Sequence, residues 1–214
     1  MVRILCIVIG YIFGLFQTGY LYGKLHNVDI RTMGSGNAGT TNALRTMGRK
    51  AGAITFLGDA FKCIFAVALV KLLFADSHTD ILPLLAMYAG MGAVLGHNFP
   101  FYLNFRGGKG IAVTAGLLAS TLPFGLVLVC AVSFALPVFI TKYVSVGSLV
   151  IVTTYLACIV GYGQMGGFGA AAPVLYEMYA IAAVLMLMAF WRHRANIQRL
   201  MNGTENKIGA GKKK

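Results

Sequence analysis

Long apolar runs separated by short polar and glycine-rich stretches dominate the sequence. A helix that crosses a bilayer needs about 20 mostly apolar residues. Five runs approach or exceed this length: 4–22, 51–74, 81–98, 146–163 and 173–191. Because these runs carry few polar positions on any side, we predict an all-α protein whose helices lie in lipid.

The stretch 111–141 allows two interpretations, because Pro123 lies near its middle. It can form one long kinked span, which gives six spans and places both chain ends on the same side of the membrane. It can also form a helix over 111–122 followed by a second over 124–141, which gives seven spans and places the ends on opposite sides.

The charge distribution favours seven spans. Lys and Arg number 18 against 6 Asp and Glu, and basic residues collect on the cytoplasmic side of membrane proteins. With seven spans and an outer N-terminus, the basic segments 23–50 and 192–214 share one face, whereas six spans would separate them. We therefore predict a polytopic seven-transmembrane-helix bundle with the N-terminus outside and the C-terminus cytoplasmic. The segment 111–122 is short for a full crossing, so a partly re-entrant path stays open.

Composition supports a membrane protein with a single membrane-embedded domain over 1–214. Hydrophobic residues make up 58% of the chain and charged residues only 11%, against about a quarter charged in a soluble domain. The N-terminal apolar run lacks a small-x-small cleavage site, so we expect an uncleaved span. In this setting the basic excess indicates topology and attraction to anionic lipid or a phosphate-bearing substrate, and no nucleic-acid partner is expected.

The first glycine-rich segment matches the pattern G-x-G-x-x-G at Gly34, Gly36 and Gly39. A dinucleotide-binding fold is excluded because no strand precedes the pattern and the acid that follows, Asp59, lies inside an apolar span. Glycines still allow backbone N–H groups to converge on an anion. The alternative is a flexible polar connector.

Side chains in and after this segment, which we call the Ser35 loop (residues 34–39), suit a phosphate. Ser35, Asn37 and Thr41 add neutral polar groups, and Arg45 adds a planar guanidinium that matches phosphate geometry. Asn42 or Thr41 is also suited to cap the helix that carries Arg45.

A second glycine-rich segment, the Lys109 loop (residues 107–110), contains Gly107, Gly108 and Gly110. Its letters match the end of a P-loop, but the spacing fails because position 103 is Leu. The loop precedes a helix, whose N-terminus favours an anion; a basic turn at the headgroups is the alternative. We interpret His97, at the end of the apolar run before this loop, as a helix cap or a structural hydrogen-bonding residue and not as a catalyst.

Two further sets of polar residues fall on the same predicted side of the membrane as these loops. Ser145 and Ser148 are three residues apart, and His193 and Asn196 also share a helix face. Simple packing of the serines and a basic flank after the last span are the alternatives.

The chemistry of these groups favours phosphate esters over metals. The sequence has no H-E-x-x-H motif, no Cys/His cluster and no carboxylate pair on this face, so we expect no metal and no cofactor. A site for two phosphate-bearing groups beside lipid fits a transferase. A membrane transporter for a phosphorylated small molecule is the alternative, although transporters bind near the midplane.

Five motifs in order carry a family resemblance: G-S-G-N-x-G-x-T-N-x-x-R, G-H-x-F-P, G-G-K-G, Y-V-S-x-x-S and R-H-x-x-N-I-x-R-L-x-x-G-x-E. They resemble those of the bacterial acyl-phosphate-dependent glycerol-3-phosphate acyltransferases, the PlsY family. The resemblance implies a seven-helix inner-membrane enzyme with a cytoplasmic site. It implies transfer of a fatty acyl group from acyl phosphate to the 1-hydroxyl of glycerol 3-phosphate, giving lysophosphatidic acid and phosphate, the first step of phospholipid biosynthesis.

The resemblance also implies roles for individual residues. The acyl phosphate would contact Ser35, Gly36, Asn37, Thr41, Gly107, Gly108, Gly110, Ser145 and Ser148. Glycerol 3-phosphate would contact Arg45, Lys109, His193 and Asn196. The residues expected to carry catalysis are His193, Lys109, Arg45, Ser35 and Asn196. Either His193 or the donor's own phosphate oxygen would accept the proton of the attacking hydroxyl, and the scarcity of acids favours the phosphate.

Overall fold

A computed structural model describes residues 1–209, and within them the chain forms nine α-helices. They are α1 (Val2–Gly14), α2 (Thr18–Leu25), α3 (Thr40–Phe74), α4 (Leu82–Asn98), α5 (Ile111–Thr121), α6 (Phe124–Thr141), α7 (Val144–Gln164), α8 (Ala172–Arg192) and α9 (Arg194–Met201). The all-α prediction is confirmed. Lys212, Lys213 and Lys214, which the sequence counts toward the basic face, lie outside the described residues.

Among the described residues, six segments are long and apolar enough to cross a membrane: Val2–Leu25, Thr40–Phe74, Thr79–Leu103, Phe124–Thr141, Val144–Gln164 and Ala172–Arg192. Each contains one of the predicted spans. The helix that contains the second predicted span begins before residue 51, because α3 starts at Thr40 and bends at Gly48, where φ is 88°. The apolar run marks only the part of α3 that follows this bend.

The stretch 111–141 forms two helices instead of one kinked helix. Helix α5 ends at Thr121, and Leu122 and Pro123 are extended before α6 begins. The 11 residues of α5 rise about 16 Å, roughly half of the ~30 Å hydrocarbon core. The seventh crossing therefore stays a prediction.

Helix α4 is the central element of the bundle and packs against α1, α3, α5 and α8. Its contact with α1 brings two backbones together through small residues, as is common in membranes. A Cβ atom added to Gly10 would lie 1.9 Å from the carbonyl oxygen of Ala89, and one on Gly96 would lie 2.2 Å from that of Tyr11. By contrast, α6 buries only Cys130 among its residues.

The two ends of the bundle differ in chemistry. At one end, Nε of Arg3 donates to Oε1 of Glu177 near the start of α8 (2.6 Å). At the other, Nε2 of Gln17 donates to the carbonyl oxygen of His97 (3.1 Å), and Nη2 of Arg192 donates to the carbonyl oxygens of the Lys109 loop. The fold thus collects the polar segments singled out in the sequence at the end opposite Arg3.

Candidate active site

Most of the predicted site residues line one cavity of about 290 Å³ at this polar end. They are Ser35, Asn37, Thr41, Arg45, Lys109, Gly110, Ser145, Ser148, His193 and Asn196. Loop residues before α3 and the starts of α3, α5, α7 and α9 supply them. Residues far apart in the sequence therefore meet around a single space.

A second cavity of about 420 Å³ adjoins the first and adds Gly36, Gly107, Arg106 and Arg192. The two cavities share six lining residues: Ser35, Asn37, Lys109, Asn196, Arg199 and Asn206. Gly108 lines neither of these two cavities. Lys109 and Asn196 can consequently contact a group in either space.

One buried side chain, Asn42, holds the Ser35 loop in place. Its Oδ1 accepts from the N–H of Ser35 (2.9 Å), and its Nδ2 donates to the carbonyl oxygens of Ile30 (3.1 Å) and Met33 (2.9 Å). Helix α3 begins after Gly39 without a side-chain cap, so the expected capping by Asn42 or Thr41 was wrong. Asn42 instead organises the turn that precedes the helix.

The loop itself uses several of the backbone N–H groups expected to face an anion. Those of Ser35, Gly36 and Gly39 bond to Asn42 Oδ1, the Met33 carbonyl and Asn37 Oδ1, respectively. The groups that the loop presents to the cavity are therefore chiefly side chains.

The Lys109 loop is held through its backbone. The N–H groups of Gly107 and Gly108 donate to the carbonyl oxygens of Asn98 (3.2 Å) and His97 (3.1 Å) at the end of α4. Nη2 of Arg192 donates to the carbonyl oxygens of Gly107 (2.9 Å) and Gly108 (2.7 Å). A Cβ on Gly107 would lie 1.9 Å from the His97 carbonyl oxygen, so this glycine permits close packing, and Lys109 and Gly110 are left to face the cavity.

Glu205 connects three of the site elements, and the sequence did not predict it as a site residue. Its Oε1 accepts from Asn196 Nδ2 (2.7 Å) and Ser145 Oγ (3.3 Å), while its Oε2 accepts from Arg199 Nε (2.8 Å). Asn196 Oδ1 in turn accepts from Nζ of Lys109. Two signals were available: Glu205 is an acid within a very basic tail, and it is the last residue of the motif that begins at Arg192.

Electrostatics adjusts the two titratable groups predicted to carry catalysis. Burial lowers the pKa of Lys109 to about 8, against the opposing effect of Glu205 and with the repulsion of nearby arginines. Burial and then the charge of Lys109 lower the pKa of His193 to about 4. Nδ1 of His193 lies 2.8 Å from the carbonyl oxygen of Ala189. Because a carbonyl only accepts, Nδ1 carries the proton and Nε2 of the neutral ring is an acceptor.

The larger part of the first cavity's remaining wall is apolar. Phe56, Ile111, Phe134, Val138 and Val144 line it beside the polar groups. A molecule with an anionic head and an alkyl chain would satisfy both sides. Within residues 1–209, no group of three or more His, Cys, Asp and Glu side chains is placed to hold a metal ion, and metal independence stays a prediction.

A buried ionic group beside the cavity was missed in the sequence. Nζ of Lys62 donates to Oδ1 of Asp59 (2.9 Å) and to Nδ1 of His97 (2.9 Å). Asp59 and His97 both line the cavity. The hydrogen-bonding role expected for His97 is consistent with this contact. An acid and a lysine three residues apart in an apolar span were a usable signal.

The chain is similar to known proteins along nearly its whole length. The family model described as glycerol-3-phosphate acyltransferase matches residues 4–203. Curated proteins of that name are similar along nearly the whole chain: the Clostridioides difficile protein is 43% identical (98% of this chain, 97% of the relative). The Bacillus subtilis protein is 39% identical (95% and 96%).

Two crystal structures of PlsY (YgiH), an integral membrane glycerol 3-phosphate acyltransferase, have the same fold. The glycerol 3-phosphate form has a TM-score of 0.80 at 28% identity and covers 97% of this chain and 96% of its own. The lysophosphatidic acid form has a TM-score of 0.79 at 26% identity, with 97% and 95% covered. The chain belongs to the glycerol-3-phosphate acyltransferase family.

Proposed function

We propose that the protein transfers a fatty acyl group from acyl phosphate to the 1-hydroxyl of glycerol 3-phosphate, at a site that faces the cytoplasm of a bacterial cell. Acylation of glycerol 3-phosphate is the activity for which its family is named. The observation that carries the proposal is the cavity in which anion-binding side chains and an apolar wall face each other. That combination suits an acyl phosphate at the membrane surface.

The two adjoining cavities suggest how the reactants share the site. The polar groups Ser35, Asn37, Thr41, Ser145 and Ser148 line the cavity with the apolar wall, so they suit the acyl phosphate. Gly36, Gly107, Gly108 and Gly110 were grouped with them, but the engaged N–H groups of Gly36, Gly107 and Gly108 make a direct contact through those atoms unfavourable.

Glycerol 3-phosphate is assigned to Arg45, Lys109, His193 and Asn196. Lys109 and Asn196 line both cavities, whereas Arg45 and His193 line only the first. This lining supports a position for Lys109 and Asn196 between the two phosphate groups. Cations and amide donors at that position screen the repulsion of two phosphate groups and hold them close, which are the two main contributions that this reaction needs.

The reaction balances without an external co-reactant. The 1-hydroxyl oxygen attacks the acyl carbonyl carbon, the bond from this carbon to the phosphate oxygen breaks, and the phosphate leaves with the bonding electrons. The hydroxyl proton passes either to the departing phosphate or to Nε2 of His193. A phosphate whose second pKa is about 6 is more basic than an imidazole whose pKa is about 4. We therefore favour the phosphate, and His193 then orients the hydroxyl.

We also propose seven spans with an outer N-terminus. If α5 is counted as a crossing, successive helices alternate in direction through the bundle. The bonds of Arg3 to Glu177 and of Arg192 to the Lys109 loop, at opposite ends, support this path. Labelling of single cysteines at the start of α1 and after α9 from each side of sealed vesicles tests it.

The central experiment supplies purified protein with palmitoyl phosphate and labelled glycerol 3-phosphate, with and without EDTA. We expect lysophosphatidic acid and phosphate in equal amounts, and no inhibition by EDTA. Folded protein that makes no labelled lipid, or that EDTA fully inhibits, contradicts the proposal. Uptake of unchanged glycerol 3-phosphate into vesicles would instead indicate a carrier.

A further inference from the structure

We infer that Asp59, Lys62 and His97 form a buried positioning unit that holds the Lys109 loop, and through it Lys109, against the reactants. Its effect on catalysis rests on the proposed function, but its effect on the loop does not. None of the three residues belongs to the groups assigned to substrate above.

The unit is buried within the apolar part of the bundle. The side chains of Lys62, Asp59 and His97 are 4%, 1% and 3% exposed, respectively. Lys62 also donates to the carbonyl oxygen of Phe16 (2.6 Å), and Thr18 Oγ1 donates to Asp59 Oδ1 (3.1 Å). The group thus joins α3, the end of α4 and the turn between α1 and α2.

A buried ionic group of this kind contributes little to the free energy of folding, so stability alone does not explain it. Removing two charges from water costs several kcal/mol per ion, and well-packed apolar residues often replace a buried pair with little loss. Ionisable side chains inside a membrane usually serve a site. The location of His97 indicates which site this is.

The ring of His97 fills the space directly behind Gly108. A Cβ on Gly108 would lie 2.0 Å from its Nε2, while the His97 carbonyl oxygen accepts from the N–H of Gly108 (3.1 Å). Ring and carbonyl therefore both fix the residue that precedes Lys109. Because the Lys62 ammonium can only donate to Nδ1, it also sets the ring orientation.

The chain of contacts runs from the ion pair to the reacting centre. Asp59 neutralises Lys62, Lys62 orients His97, His97 supports Gly108, and Lys109 follows at the boundary of the two cavities. On the opposite side, Arg192 holds the carbonyl oxygens of the same loop. The loop is clamped between a buried ionic group and a guanidinium.

The first test removes both charges together with Asp59→Asn plus Lys62→Met, so that no unpaired charge remains in the bilayer. Lys71→Met is the matched control, because Lys71 lies in the same helix and donates only to the Ser120 carbonyl oxygen (2.7 Å). Amide hydrogen exchange of Gly107 and Gly108 measures the loop directly. We expect roughly tenfold faster exchange in the double variant. We also expect a roughly 10- to 100-fold fall in kcat/KM for glycerol 3-phosphate, by analogy with the range found for residues that orient metal ligands. The control should change neither.

Unchanged amide exchange in a folded double variant overturns the proposal, whatever the wild-type activity. Faster exchange with unchanged kcat/KM overturns the catalytic part alone. Because exchange needs no substrate, failure of the proposed function would be seen separately, as a wild-type protein with a protected loop and no acyl transfer.

A second pair of variants separates the two edges of His97. His97→Asn keeps a polar group near the Nδ1 position for Lys62 but leaves the space behind Gly108 empty. His97→Gln places an amide near the Nε2 position and refills that space. We expect His97→Gln to retain more loop protection and more activity than His97→Asn. The reverse order would show that His97 serves only to pair with Lys62 and would overturn the positioning role.

Discussion

The Ser35 loop and the Lys109 loop have similar compositions but are held in different ways. Asn42, a single buried side chain, makes three hydrogen bonds that shape the first loop. The backbone N–H groups of the second loop donate to the last turn of α4, and its carbonyl oxygens accept from Arg192. Glycine content alone therefore does not show that a loop offers its N–H groups to a ligand, because both loops use several of theirs to hold their own structure.

The largest expected effect on kcat/KM comes from substituting Lys109, the residue of the second loop that lines both cavities. Lys109→Ala should lower kcat/KM for glycerol 3-phosphate about 1,000-fold, as is found when a preorganised donor to the transition state is lost. Lys50→Ala, on an exposed position of α3, is the control. A variant that retains a tenth of the activity would mean that the loop acts through its backbone, as the glycines first suggested.

The next effect tests the first loop. Asn42→Ala leaves the partly buried Ser35 N–H without its partner and removes one of two hydrogen bonds from each of the Ile30 and Met33 carbonyl oxygens. An unpaired buried group costs about 1–3 kcal/mol. We expect a lower melting temperature and a roughly 100-fold lower kcat/KM. Thr46→Ala is the matched control, because Thr46 only donates back to the Asn42 carbonyl oxygen one turn earlier (2.7 Å). Equal losses in both variants would contradict a specific role for Asn42.

A smaller effect is expected for Arg192→Met. The Lys109 loop would lose two bonds but keep those from Gly107 and Gly108 to α4. We therefore expect kcat/KM to fall only about tenfold, which is about the lower limit for the loss of one charge-assisted hydrogen bond. Steady-state measurement of kcat/KM for Arg192→Met and Asn42→Ala under the same conditions compares the two loops directly. A loss as large as that of Asn42→Ala would show that each loop depends equally on one side chain.

The smallest effect, about twofold between pH 7 and pH 8, is a pH dependence of kcat/KM. Lys109 must be protonated to attract phosphate, and its pKa is about 8, so kcat/KM should fall about twofold at pH 8 and about tenfold by pH 9, relative to pH 7. Lys109→Arg, which stays charged, should remove this alkaline decline even if its overall rate is lower. A decline at the same pH in Lys109→Arg would assign it to another group.

Apolar length and basic asymmetry predicted the helices well, since both follow from the membrane itself. Neither property could show that α3 begins before its apolar run. The polar first part of α3, before the bend at Gly48, is helical although it carries no long apolar run. The site residues were predicted from small polar motifs, and the fold brings most of them to one cavity. What the polar groups bond to was not predictable.

The missed contacts share one cause. Glu205 meets Ser145 across 60 residues, and Lys62 meets His97 across 35. Periodicity tells which face a side chain occupies but not which partner stands opposite it. Asp59 and Lys62 were adjacent on one helix face, yet their significance depended on a histidine from another helix.

The close seam between α1 and α4 has a consequence for biogenesis. Helix α1 leaves the ribosome before α4, but the backbone that packs against its glycines, Gly10 and Gly14, belongs chiefly to Ala89 and Ala93, which are made later. Until α4 is made, the glycine face of α1 contacts lipid or the insertion machinery instead. Helix α1 therefore reaches its main packing partner only after α2 and α3 have been made and α4 has followed them.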